Sequence, residues 1–174
     1  LTMRNRIING AMVIDQRAAG GNSTSSGYYS VDRWATYFSQ ANKGTYGQNF
    51  NNATPPAGFT NYLGITSSAT YTAGASDYFL SGQFIEGYNV ADLAWGTANA
   101  KSVTLSFQVY SSLTGTFGGA LQNSAQNRSY PFTYTISQAN TWTQIAITIP
   151  GDITGTWLTT NGIGLGHRYI DVIV

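Results

Sequence analysis

From Lys101 to Ser111 the chain alternates without a break. Val103, Leu105, Phe107 and Val109 are apolar, and Ser102, Thr104, Ser106 and Gln108 are polar. A period of two places one row of side chains in a core and the other in water, which is the geometry of a β-strand and not of a helix. Ser129 to Ile136 repeats the pattern, with Tyr130, Phe132, Tyr134 and Ile136 on one side and Thr133 and Thr135 on the other. In Trp142 to Ile149 the inner row is Ile145, Ile147 and Ile149. The segments Ile7–Gln16 and Asp77–Glu86 are apolar on both faces, which predicts central or covered strands. Weaker strand signals fall at Trp34–Ser39, Thr45–Phe50, Phe59–Ser67, Thr116–Asn123 and Gly162–Val174. Gly-, Asn- and Pro-rich stretches separate them, among them 18–23, 51–56 and 150–152. Only Asn89 to Trp95 reads as helical, a single turn with Asn89 as its N-cap. About ten short strands, with at most one short helical turn near 89–95, predict an all-β antiparallel sandwich of the jelly-roll kind.

A chain of 174 residues is the length of one domain, so residues 1–174 are expected to form a single sandwich. It has no Cys, which excludes thiol nucleophiles, disulfides and Cys-ligated metal. Charged residues make up 9% of the chain and the net charge is +1, while Ser, Thr, Asn and Gln supply about a third of the residues. Two Lys and six Arg, spread from Arg4 to Arg168, do not form the basic cluster that a phosphate backbone requires, so nucleic acid is not an expected partner. No segment has the roughly 18 apolar residues of a membrane span, and no export signal opens the chain. This polar, weakly charged composition suits a protein outside cells or on a virus particle, released by lysis.

Catalytic constellations are sparse. The one His, His167, lies in an apolar run near the C-terminus, and no Gly-x-Ser-x-Gly elbow accompanies it. Glu86 is the only Glu. It could pair in space with one of the six Asp, so a polysaccharide depolymerase using Glu86 and Asp92 stays open as the least favoured reading. The expectation is no catalytic residue, no cofactor and no metal. A structural calcium held by backbone carbonyls would leave no trace in the sequence. Binding is the stronger class. Twelve Tyr and four Trp offer flat faces for sugar rings, with Asn, Gln and Ser to meet hydroxyls. Gln108 and Tyr110, on the wet row of one strand, would form a sugar platform with Trp142 and Gln144 if those two strands are neighbours. Most other aromatics, including Trp34 and Trp95, are expected to pack rather than bind.

Several stretches resemble a known family in order along the chain. They are Asn5 to Arg17 (NRIINGAMVIDQR), Tyr28 to Trp34 (YYSVDRW), Gln83 to Thr97 (QFIEGYNVADLAWGT), Thr114 to Phe117, Asn127 to Tyr130 (NRSY), Asn140 to Trp142 and Gly155 to Leu158 (GTWL). As a series they are similar to a jelly-roll module, like a carbohydrate-binding module, that recurs in phage tail-fibre and other virion surface proteins. The resemblance implies a non-enzymatic attachment or structural part of a virion. It also implies structural roles for two groups: Asp32, Arg33 and Trp34 at the start of a strand, and Glu86, Asp92 and Trp95 in a segment capping one end of the sandwich. After Gly164-Leu165 the chain departs from the family pattern, as if its closing strands were truncated. Open strand edges are rarely tolerated. The expected partners are therefore other copies of the chain, as a homo-oligomer with a trimer first, together with other virion proteins and a host glycan. A purely structural module without ligand is the alternative.

Overall fold

The alternating segments become strands in a computed structural model that describes residues 4–171. Strand accounts for 38% of the chain and helix for 4%, which makes it all-β. The ten strands are β1 (Tyr28–Val31), β2 (Trp34–Phe38), β3 (Gly44–Gln48), β4 (Leu63–Ser67), β5 (Phe79–Glu86), β6 (Val103–Val109), β7 (Gly115–Asn123), β8 (Ser129–Ile136), β9 (Thr143–Ile149) and β10 (Ile163–Asp171). They pair in antiparallel sheets, a β-sandwich of jelly-roll-like kind. The chain divides into two compact units. One comprises residues 7–83 and 169–171, and the other comprises residues 4–6 and 84–168.

In the first unit β1, β2 and the start of β5 make one layer, and β3 pairs with β4 in another. Phe38 of β2 meets Tyr46 of β3 edge-on, with ring centroids 5.9 Å apart, and Tyr46 is completely buried. Thr36, Ser81 and Gln83 are buried too, so β2 and β5 are covered on both faces. That agrees with the two-faced pattern of 77–86, although polar residues supply part of the covered rows. The Thr36 hydroxyl is satisfied by Ser81 Oγ at 3.3 Å.

Residues 7–16 do not form the expected strand. Asn9 (φ 54°) and Met12 (φ 55°) occupy the left-handed region, and Met12 N–H donates to Asn9 O at 3.0 Å, closing a turn. The Asn9 amide accepts from Ile14 N–H at 3.0 Å and donates to Ile14 O at 2.8 Å, replacing a neighbouring strand with a local partner. Gln83 does the same for Ile8. Its Oε1 accepts from Ile8 N–H (2.8 Å) and its Nε2 donates to Ile8 O (2.7 Å), so one buried side chain imitates a ladder pair. Gln83→Leu should therefore lower the unfolding free energy by about 2 kcal/mol, because both backbone groups lose their partner. Urea denaturation would measure this, and an unchanged midpoint would mean that water serves Ile8 equally well. The strand missed by periodicity is β1, whose Tyr28-Tyr29-Ser30-Val31 has no apolar–polar alternation. The expected residues Val172–Val174 lie outside the described ones.

In the second unit residues 163–168 of β10, β7 and β8 form one layer, and β6 pairs with β9 in the other. In β8 Phe132, Tyr134 and Ile136 are buried while Ser129, Pro131, Thr133 and Thr135 are exposed, as the alternation predicts. Tyr134 bridges the layers, 5.2 Å from the Phe107 ring of β6 and 5.8 Å from Phe117 of β7. Among the described residues β6 and β9 pair only with each other. This narrow layer leaves Leu105, Phe107, Ile145 and Ile147 half-buried, whereas Val109 and Ile149 are covered.

The one helical turn, α1, spans Gly87–Val90 and runs into a 3-10 turn at Ala91–Leu93. Its N-cap is Glu86, not Asn89, and Glu86 makes no side-chain cap. The N-cap stands three residues earlier than expected, and Gly87, the first residue of the turn, lies directly against the backbone of Leu158 and Thr160. Asn89, inside the turn, instead donates to Glu86 Oε2 (3.2 Å) and accepts from Arg4 (3.2 Å).

Candidate functional site

The β6–β9 ladder runs from Val103 opposite Ile149 to Val109 opposite Thr143, and it sets Gln108 directly across from Gln144. Side chains that alternate on a strand face outward together, so the outer row holds Thr104 with Thr148, Ser106 with Ala146, and Gln108 with Gln144. Gln108 Nε2 donates to Gln144 Oε1 at 2.6 Å, which leaves Gln108 Oε1 without a partner among the described residues. Just beyond the ladder the rings of Tyr110 and Trp142 lie 5.4 Å apart, tilted by 52°. Tyr110 is 38% exposed and Trp142 is half-buried. Asn140 stands beside them, its Oδ1 3.4 Å from the Tyr110 hydroxyl. All four residues selected from the sequence thus share one outward face: two tilted rings and an amide pair beside an exposed hydroxyl row. Such a surface offers ring faces to the C–H side of a pyranose and amide groups to its hydroxyls.

The motif residues fall into two groups elsewhere. In the first unit, Asp32 and Arg33 form the two-residue turn between β1 and β2, with Val31 paired to Trp34 and Arg33 at φ 77°. Asp32 accepts from Gln16 N–H at 2.5 Å and forms an ion pair with Arg17 at 3.6 Å. The Trp34 indole donates to Asn9 O at 3.2 Å. In the second unit, Asp92 accepts two bonds from Arg6 (2.9 and 2.8 Å), and these hold its carboxyl below the usual range. Trp95 is buried, donates to Lys101 O at 2.7 Å and meets Trp157 edge-on at 4.8 Å. Among the described residues no three His, Asp or Glu side chains group to hold a metal ion. No helix there is long and apolar enough to cross a membrane.

Sequence reading passed over two carboxylates that organise loops. Asp152 accepts from Arg128 Nε (2.5 Å) and Nη2 (2.9 Å), from Thr154 N–H (3.0 Å) and from Trp157 Nε1 (2.9 Å). Asp77, in the first unit, accepts from Tyr71 (2.7 Å), Gln40 (2.8 Å), Gly74 N–H (2.8 Å) and Ser39 (2.8 Å). The local signal was the Asp-x-Thr of 152–154, an Asx-type turn hidden in what read as a plain loop. Hydrogen bonding to the charged form, from Arg128 first for Asp152 and from Tyr71 first for Asp77, holds both carboxyls well below the usual carboxylate range. Because the folded-state values are depressed, both groups stabilise the fold above the ordinary pKa of about 4 and lose that contribution as pH falls below it. The thermal midpoint should therefore be level from neutral pH to about pH 5 and drop below about pH 4. Asp152→Asn should flatten that drop, and an acid limb of unchanged steepness in this variant would contradict the assignment.

Comparison with family models, with curated proteins and with solved structures gives no match for this chain.

Proposed function

We propose that this chain is a non-enzymatic attachment module of a phage virion surface, in a tail fibre, spike or capsid decoration, that binds glycan on the host cell. The observation that carries the reading is the outward pairing of Tyr110 with Trp142 beside Gln108 and Gln144. A tilted ring pair at the end of a polar strand face suits stacking against the C–H face of a sugar. A shallow face of this kind binds single sugars weakly. The reading therefore includes repetition of the site in a homo-oligomer, a trimer being the expected form, carried among other virion proteins. In a depolymerase Asp92, whose two bonds from Arg6 move its pKa down, would have to be the ionised carboxylate and Glu86 the acid.

The test is binding of the fluorescently labelled oligomer to candidate host cells before and after periodate oxidation of their surface sugars. The reading expects binding that oxidation removes. Binding that survives oxidation, or none at all, would favour a structural module without ligand. Release of new reducing ends from capsule would favour the depolymerase.

A further inference from the structure

The other end of β9 carries a second candidate site. Where β9 runs out at Pro150, a concavity of about 420 Å³ opens in the same unit, lined by Trp95, Asn127, Arg128, Tyr130, Asp152 and Trp157. Pro150 lies eight positions after Trp142, so at the strand rise of roughly 3.3 Å these two residues flanking β9 are about 26 Å apart. A single pyranose cannot touch both.

The concavity is held firmly. Asp152 locks Arg128 and Trp157 through the bonds given above, and its own carbonyl accepts from Gly96 N–H at 2.7 Å. Trp95, buried behind Trp157, fixes the angle of that ring. Arg128 also donates from Nη2 to Thr154 Oγ1 at 2.8 Å. This leaves Nη1 as the guanidinium nitrogen without a partner among the described residues. The Asn127 Oδ1 is taken by Asn123 Nδ2 at 2.7 Å, which leaves the Asn127 Nδ2 to donate outward.

Chemistry narrows the ligand. Arg128 and Asp152 are the charged residues of the lining, and they cancel, so nothing attracts a carboxylate or phosphate from a distance. Asp152 is saturated with donors and is not free to accept. The remaining groups are N–H donors and hydroxyls beside an indole and a phenol ring, a set that suits the oxygens and C–H face of an uncharged sugar. From this geometry we infer that the Asp152 concavity is a second ligand site, one that takes a single neutral pyranose such as the end of a glycan chain. It stands on its own residues and does not require the Tyr110–Trp142 face to bind.

The four tryptophans provide the test. In an indole N–H NMR spectrum each gives one signal, assigned by Trp→Phe variants, and Trp157 and Trp142 report on the two sites separately. The full chain is titrated with the methyl glycosides of glucose, galactose, mannose and rhamnose. At least one should shift the Trp157 signal to saturation, with a Kd on the order of millimolar. Tyr130→Phe should weaken that binding about fivefold with the thermal midpoint unmoved. A Trp157 response with Trp142 silent would uphold this site and count against the β6–β9 face. A response confined to Trp142, or none at Trp157 from any of the four, would overturn it. So would tighter binding of methyl glucuronoside than of methyl glucoside, since that would show a site for charge.

Discussion

A Tyr110→Ala, Trp142→Ala double variant should fold normally and fail to bind host cells. Both side chains lie past the ends of the β6–β9 ladder, outside its paired residues, and neither is among the buried core residues. Removing two ring faces from a single site is expected to cost about 2 kcal/mol, or roughly thirtyfold in affinity. In an oligomer that binds through several copies the loss multiplies, and attachment to cells should vanish. The circular dichroism spectrum should stay that of the parent. Gln108→Ala with Gln144→Ala, on the exposed face of the same ladder, provides a milder companion and should weaken binding without any effect on the core. Retention of full cell binding by both variants would remove this face from the function.

Adding one methyl group at Gly87 is expected to cost much of the stability. A Cβ there would stand 2.5 Å from Thr160 O, 2.8 Å from Leu158 O and 2.9 Å from Thr160 N. These are backbone atoms, and they cannot rotate away as a side chain would. The chain cannot retreat either, because Gly87 N–H donates to Gly162 O at 2.8 Å. Gly87→Ala should therefore cost about 3 kcal/mol, and for a chain of this length lower the thermal midpoint by about 8 °C. Gly58 is the control. It has φ 87° but nothing within 4 Å of its Cβ position, so Gly58→Ala meets only the left-handed penalty of about 1 kcal/mol. If the Gly87 variant melts no lower than the Gly58 variant, the close approach of the helical turn to residues 158–162 is wrong.

These two positions also mark how differently the chain reveals its parts. Tyr110 and Trp142 were legible because alternation along β6 and β9 is a local property: it sorts each side chain to the wet or dry face whatever the strand pairs with. The same reasoning located β8 at its observed ends, and it failed at 7–16. Apolar content there resembled a covered strand, but Asn9 and Gln83 supplied side-chain amides where a strand would have used a neighbour's backbone. Gly87 gave no local sign that the helical turn lies against segments some seventy residues away.

By itself the sequence determined the all-β class, the inward and outward rows of most strands, and a polar composition with few charges. Those features follow from residue type and a period of two, which need only near neighbours along the chain. Tertiary structure alone decided that β6 lies beside β9 across two intervening strands, which brings Gln108 to Gln144 and Tyr110 to Trp142. It alone gathered Arg128, Asp152 and Trp157 around one concavity. Pairing and clustering of this kind depend on which distant apolar rows fit together and which loops can close between them, and no local pattern encodes that choice.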